Sequence, residues 1–189
     1  IDVLNFLRYN TIGKNKERYF DFTASGLAFR QIENRIHEVL ETYANTHSKE
    51  SSNAKTTTYY YERARENLAK NFELNDEFTV LPSGCGSTAA IKHFQELLGL
   101  YIPPATKKRF GFKRDKKKAP LIIVGPYEHH SNELSFRESL ANVKRVKLTP
   151  DGLIDLKHLK KILENNKDKE IIASFCIASN VSGIITPYK

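Results

Sequence analysis

The sequence predicts an α/β fold: a three-layer sandwich with a mainly parallel sheet and helices on both faces. Two short apolar runs, Leu121-Ile122-Ile123-Val124 and Ile171 to Ile177, suit strands buried on both sides. Between such runs lie segments whose apolar residues recur three and four apart, the period of a helix with one buried face. Strand-like and helix-like segments alternate along the chain, as they do in βαβ units.

Taken in order, Ile32, Ile36, Leu40 and Tyr43 form one apolar face of a helix between Phe29 and Tyr43. Ala64 and Leu68 continue a four-residue spacing in a second helix from Tyr60 to Phe72, built from good helix formers. Phe78-Thr79-Val80-Leu81 reads as a short strand stopped by Pro82-Ser83-Gly84, after which Ser87 is expected to cap a helix ending near Gly99. Leu121 to Val124 is the next strand, ended by Gly125-Pro126, and Ser131 to Leu140 suits a helix. Val143 to Leu148 alternates as a strand, Asp151-Gly152 is a turn, and Asp155 can cap a helix bearing Leu156, Leu159, Ile162 and Leu163. Ile171 to Ile177 is the last strand.

Composition bounds the class. Hydrophobic residues make up 40% and charged residues 28% of the 189, a globular balance rather than a disordered one. No apolar stretch is long enough to span a bilayer, and no signal-peptide pattern opens the chain. The first residue is Ile1 and methionine is absent, so a trimmed N-terminus is expected. Two cysteines, Cys85 and Cys176, cannot make a disulfide framework, which favours a reducing cytoplasm. Both thiols read as inert, Cys176 as a small buried hydrophobe.

The net charge of +8 is local. The string KKRFGFKRDKKK, from Lys107 to Lys118, holds eight bases and one acid, and the rest of the chain has 22 bases against 21 acids. Like-charge blocks are usually solvated segments, so a mobile connection bracketed by Pro103-Pro104 and Pro120 is expected. Phe110 and Phe112 interleave with the bases, a composition compatible with a single-stranded nucleic acid. The solvated loop is the favoured reading.

In open α/β sheets ligands bind at the carboxyl ends of the strands. Three loops put polar, turn-forming residues there: SGCGSTAA, GPYEHHSN and ASNVSG. Gly84-Cys85-Gly86-Ser87-Thr88 runs into a helix start, where backbone N–H groups, the dipole and two hydroxyls suit phosphate. It matches neither a dinucleotide fingerprint nor a Walker loop. His129 and His130 are adjacent and poorly placed to chelate together, with no third ligand at a recognisable spacing, so no metal is expected. One of these imidazoles can instead stack on a flat aromatic ligand. Asn180 is either an ordinary turn residue or an amide offered to a ligand oxygen.

The strings YFDFTASG, YANTHS, SGCGSTAA, GPYEHHSN, DGLIDLKHLKKIL and ASNVSG, in that order, resemble the N-terminal half of class V aminotransferases and cysteine desulfurases, from about Tyr19 to Ile185. The resemblance implies a fold type I enzyme dependent on pyridoxal phosphate (PLP), a homodimer with active sites at the subunit interface, and an amino-acid substrate. Gly86, Ser87 and Thr88 would hold the cofactor phosphate, and His129 would stack on its ring and assist proton transfer. Asn180 would contact the ring hydroxyl oxygen or the substrate carboxylate. Thr23, Ala24 and Ser25 would lie near the substrate, and His47 near the dimer-related site.

On this resemblance, residues 1–189 form the N-terminal part of the large domain, with a short segment over about 1–28 and a basic loop over 103–120. The family's aspartate for the pyridine nitrogen, its Schiff-base lysine and its carboxylate-binding arginine would all follow Lys189, which is not in the lysine's context. The piece alone is expected to be inactive, and to need its other half or a dimer contact to cover an open sheet edge. A non-catalytic paralogue and a basic nucleic-acid-binding domain are the alternatives.

Overall fold

The structure is a computed structural model and describes residues 2–13, 19–112 and 115–186. It divides into two compact units, residues 1–81 and 82–189.

The first unit is helical among the described residues. Helix α1 (Val3–Asn10) starts under Asp2, whose carboxylate accepts the Leu4 N–H, and lies in the short N-terminal segment over about 1–28. Helix α2 (Arg30–Leu40) carries the expected Ile32, Ile36 and Leu40 face, which is exposed within this unit.

Helix α3 (Ser52–Asn71) begins eight residues before the expected Tyr60. The added turns include Thr56-Thr57-Thr58, β-branched residues that lose side-chain freedom in helices. Tertiary contacts reverse that preference. Thr57 Oγ1 accepts the Ala44 N–H at 3.0 Å, and Thr58 Oγ1 donates to Thr46 O at 2.6 Å.

Residues 78–81 are not a strand. The Arg65 guanidinium takes the carbonyl of Val80 at 3.0 Å and the hydroxyl of Thr79 at 3.1 Å. Phe78 and Leu81 stay exposed, so in this chain the segment has side-chain partners and no sheet neighbour among the described residues.

The second unit is the α/β sandwich. Helix α4 (Gly86–Leu97) and helix α5 (Pro104–Phe110) precede strand β1 (Leu121–Val124), helix α6 (His130–Glu138), strand β2 (Asn142–Arg145), helix α7 (Leu156–Glu164) and strand β3 (Ile171–Ser174). Both pairings are parallel, in the order β2-β1-β3, with Leu121 opposite Asn142 on one side and Ile171 on the other.

β1 is buried on both faces, as its unbroken apolar run requires. Ile122 and Val124 pack with Leu100, Phe136 and Ala141 on the α4 and α6 side, whereas Leu121 and Ile123 pack with Val146 and Ile162 on the α7 side. The period-two alternation of one strand thus supplies two cores, one for each helical layer.

The expected cap of α4 is corrected. Cys85, not Ser87, is the N-cap, no side chain caps the helix, and Ser87 lies inside the first turn. Gly99, in the left-handed region at φ 67°, ends the helix as expected. Asp155 caps α7 through the His158 N–H at 2.9 Å.

Part of the basic run is helical. Lys107, Lys108 and Arg109 form the last turn of α5, which Pro104 opens and Gly111 closes at φ 63°. Cations near a helix C-terminus interact favourably with its dipole, which a count of like charges does not register. Residues 113–114, within the same run, lie outside the described residues.

Candidate functional site

Sheet topology selects the site. The chain passes from β1 to β2 on one side, then back across β1 to β3 on the other, so its direction of strand addition reverses between β1 and β3. In open α/β sheets that reversal marks the ligand crevice, beyond the carboxyl ends of the strands.

A cavity of about 560 Å³ opens there, lined by Tyr127, Glu128, His129 and His130 after β1, by Leu148 and Gly152 after β2, and by Ser179, Asn180 and Val181 after β3. His129 and Asn180, proposed as site residues from sequence, meet in one cavity. Its size is in the range of small-molecule and cofactor sites.

His129 is the N-cap of α6. Its Nδ1 accepts the Ser131 N–H at 3.1 Å and lies 2.8 Å from Ser131 Oγ. With Nδ1 accepting, Nε2 is the ring nitrogen that carries a proton. His130 opens the helix, and the two rings are 6.4 Å apart and inclined by 46°.

Asn180 sits in a tight loop. Ser179 is buried and its Oγ accepts the N–H groups of Val181 and Ser182 at 3.3 and 3.2 Å, while Ala178 and Ile185 form an antiparallel bridge that closes the loop. The Asn180 side chain is exposed at the tip.

Gly86, Ser87 and Thr88 do not line this cavity, but they belong to the same edge. Gln95 Nε2 donates to Ser135 Oγ at 2.7 Å, and the Leu140 N–H donates to Leu100 O at 2.9 Å. Both contacts join residues 40 apart, so α4 and α6 run side by side with the same polarity. By helical rise, the start of α4 projects beyond the start of α6 by on the order of 6 Å, on the side where the strands end. Ser87 and Thr88 are exposed there beside backbone N–H groups that no capping side chain takes. Gly84, at φ 52°, makes the approach tight: a Cβ on it would lie 2.8 Å from Ala89 Cβ.

The remaining sequence-derived residues lie in the first unit. Ala24 and Ser25 donate their N–H groups to Asp21 O in the turn that also holds Thr23, and Tyr19 Oη donates to Ser25 O at 2.8 Å. His47 is exposed in a turn, its N–H donated to Asn45 Oδ1 at 2.9 Å.

Beneath the cavity the polar groups are interlocked. Asn132 is buried, donating to Glu128 Oε2 at 2.8 Å and accepting from Ser174 Oγ at 2.9 Å. Glu133 is buried between Arg137 and Arg145, with Arg137 at 2.6 Å. Burial pushes the Glu133 carboxyl up; the hydrogen bond and charge of Arg145, then those of Arg137, outweigh it and hold the group below its ordinary value.

Cys176 is half-buried rather than buried. It follows β3, which ends three residues before the expected Ile177, and its Sγ–H donates to Ala178 O at 2.9 Å. Sequence reasoning missed Leu148 and Gly152 as lining residues. The signal was present in the Asp151-Gly152 turn just beyond the carboxyl end of β2.

Residues 18–189 match the family model described as aminotransferase class-V. The chain belongs to the class-V aminotransferase family. Two probable cysteine desulfurases, from Chlamydia muridarum (strain MoPn / Nigg) and Chlamydia trachomatis serovar D (strain ATCC VR-885 / DSM 19411 / UW-3/Cx), are 40% and 31% identical over 70 residues, 35% of this chain. A solved NifS-like protein shares the fold over 90% of this chain with a TM-score of 0.62 and 22% identity. A NifS-like protein from Rickettsia africae ESF-5 does so over 87%, with 0.55 and 16%.

Those matches span 17% of each desulfurase and 40% of each NifS-like chain, so this class-V aminotransferase sequence covers only part of its relatives. The parallel sheet and two helical layers expected from sequence are those of this fold. No helix among the described residues is long and apolar enough to cross a membrane.

Proposed function

We propose that the chain is the N-terminal part of the large domain of a PLP-dependent enzyme that acts on an amino acid, by transamination or by removing sulfur from cysteine. The observation that carries this reading is the single cavity shared by His129 and Asn180, on the edge where α4 also begins.

The residues fit the cofactor. A dianionic phosphate suits the start of α4, where Gly86, Ser87 and Thr88 offer N–H groups and two hydroxyls without a competing capping side chain. A flat ring suits the exposed His129 imidazole, whose orientation Ser131 holds. When bound, PLP supplies an electron sink, and the protein's part is to position and tune it.

His129 would then stack on the ring and assist proton transfer, and the Asn180 amide would meet the ring hydroxyl oxygen or the substrate carboxylate. Thr23, Ala24 and Ser25 border the substrate, and His47 serves the dimer-related site of a homodimer. Two unpaired thiols suit a reducing cytoplasm. On the family resemblance, these 189 residues by themselves are expected to be inactive, because the resemblance implies a Schiff-base lysine that is not among them. Turnover by the isolated 189 residues would refute that statement.

The deciding experiment adds PLP to the full-length protein and records absorbance at about 400 nm, where the bound cofactor's chromophore is expected. A new band with stoichiometric PLP supports the proposal. A folded protein that takes up no PLP removes it.

A further inference from the structure

We infer that Glu128 is a positioning residue: one carboxylate that clasps the ends of β1 and β3 and so sets His129 against Asn180. The inference rests on the cofactor reading for its purpose, though not for its geometry.

Glu128 Oε1 accepts two backbone N–H groups, from Gly125 at 3.2 Å and from Cys176 at 2.6 Å, and Oε2 accepts from Asn132 Nδ2 at 2.8 Å. Gly125 leaves β1, Cys176 leaves β3, and Asn132 lies in the first turn of α6. Three segments that diverge at the strand reversal are therefore joined by one side chain.

The backbone is shaped for it. A Cβ at Gly125 would stand 2.4 Å from Glu128 Oε1 and 3.1 Å from Phe175 Cδ1, so only glycine leaves room for the carboxylate. β1 and β3 stop pairing at Val124 and Ser174, and the N–H groups of Gly125, one residue beyond β1, and of Cys176, two residues beyond β3, turn to Glu128.

The clasp reaches both site residues by short paths. His129 is the next residue in the chain. On the other side, the Cys176 carbonyl accepts from Thr186 Oγ1 at 3.1 Å, and the Thr186 N–H donates to Ile177 O at 2.7 Å. Those bonds close the loop that presents Asn180. Behind Glu128, Asn132 Oδ1 accepts from Ser174 Oγ and forms a second polar link between the two exits.

Hydrogen bonds to a carboxylate are stronger than neutral ones, and two orphaned N–H groups would be left on its removal. Glutamine can replace much of it. Its single oxygen can keep both backbone donors, and its amide can meet Asn132 if that side chain turns over.

The test compares wild-type, Glu128→Ala and Glu128→Gln full-length protein by two measurements. The first, without cofactor, is hydrogen exchange of peptides 121–129 and 175–186, expected to quicken about tenfold or more in Glu128→Ala, the scale of one charged hydrogen bond. Peptides covering α7 and β2 should stay as in wild type, and Glu128→Gln should return both regions close to wild type. The second is PLP affinity, expected to weaken about tenfold or more in Glu128→Ala and much less in Glu128→Gln.

Exchange that rises evenly over the whole unit, with PLP affinity unchanged, would reduce Glu128 to a general stabiliser and overturn the inference. If wild type itself binds no PLP, the cofactor reading falls while the exchange arm still decides the clasp. Should Glu128→Ala not fold, Glu128→Asp, one methylene short of the gap, carries the same expectations.

Discussion

Gln95 and Ser135 meet across the α4–α6 contact, with Gln95 Nε2 donating to Ser135 Oγ at 2.7 Å. Gln95 is fully buried, so this pairing is a fixed point of the interior. Because Leu100 and Leu140 repeat the same offset, both helices start on the edge where β1 and β3 end. That shared polarity places a helix start on the cavity's edge of the sheet, with no strand among the described residues leading into it.

Phosphate binding at that helix start can be separated from stability. Ser87 and Thr88 are exposed, and neither is the N-cap of α4. The double substitution Ser87→Ala/Thr88→Val should leave the free energy of unfolding within about 0.5 kcal/mol of wild type. PLP uptake by the full-length protein, followed by absorbance titration, should weaken about tenfold or more. Unchanged uptake would move the phosphate elsewhere.

Gly125 should resist even alanine. The added methyl meets Glu128 and Phe175 at once, and overpacking of this kind costs about 1–3 kcal/mol. Urea unfolding of Gly125→Ala measures it. In the pair Gly125→Ala/Glu128→Ala the clash with the carboxylate disappears, so the combined loss should be smaller than the sum of the two single losses.

Glu133 makes stability depend on pH in a defined direction. Its folded carboxyl is held below the ordinary value of 4.5, so the unfolded chain takes up a proton first. The stabilisation is fully present above about pH 4.5 and is lost as pH falls through the lower folded value. Glu133→Gln should flatten this acid limb in equilibrium unfolding. Removing both arginines, in Arg137→Ala/Arg145→Ala, should cost about 3 kcal/mol or more, because the buried carboxylate is then left unpaired. Glu133→Gln should cost less, as the half-exposed guanidinium groups return to water.

His129 combines a structural task with the proposed chemical one. Replacing it with alanine removes the cap of α6 and should cost about 1 kcal/mol. Asparagine restores a capping acceptor but offers no ring. His129→Asn should therefore unfold like wild type and yet fail to reproduce the wild-type PLP spectrum. A normal spectrum in His129→Asn would show that the imidazole does not face the cofactor.

Much of the second unit could be read from local pattern. The run Leu121 to Val124 became β1 with the bounds expected, and Asp155 capped α7, since both depend on near neighbours. Patterns that needed distant partners were misjudged. Phe78 to Leu81 has strand composition, but Arg65 occupies its polar groups; the helix expected from Tyr60 begins at Ser52, where the Thr57 and Thr58 hydroxyls secure it against residues 42–46.

Sequence by itself determined the fold class, the family resemblance and the residue types gathered at the strand ends. Residue order and period-two or 3.6-residue spacing are local quantities, and they suffice for those. Tertiary structure alone decided that His129 and Asn180, 51 positions apart, share a cavity, and that Glu128 fastens the two strands leading to them. Hydrogen bonds between segments so far apart depend on sheet order and helix polarity. Neither leaves a mark on any short stretch of the chain.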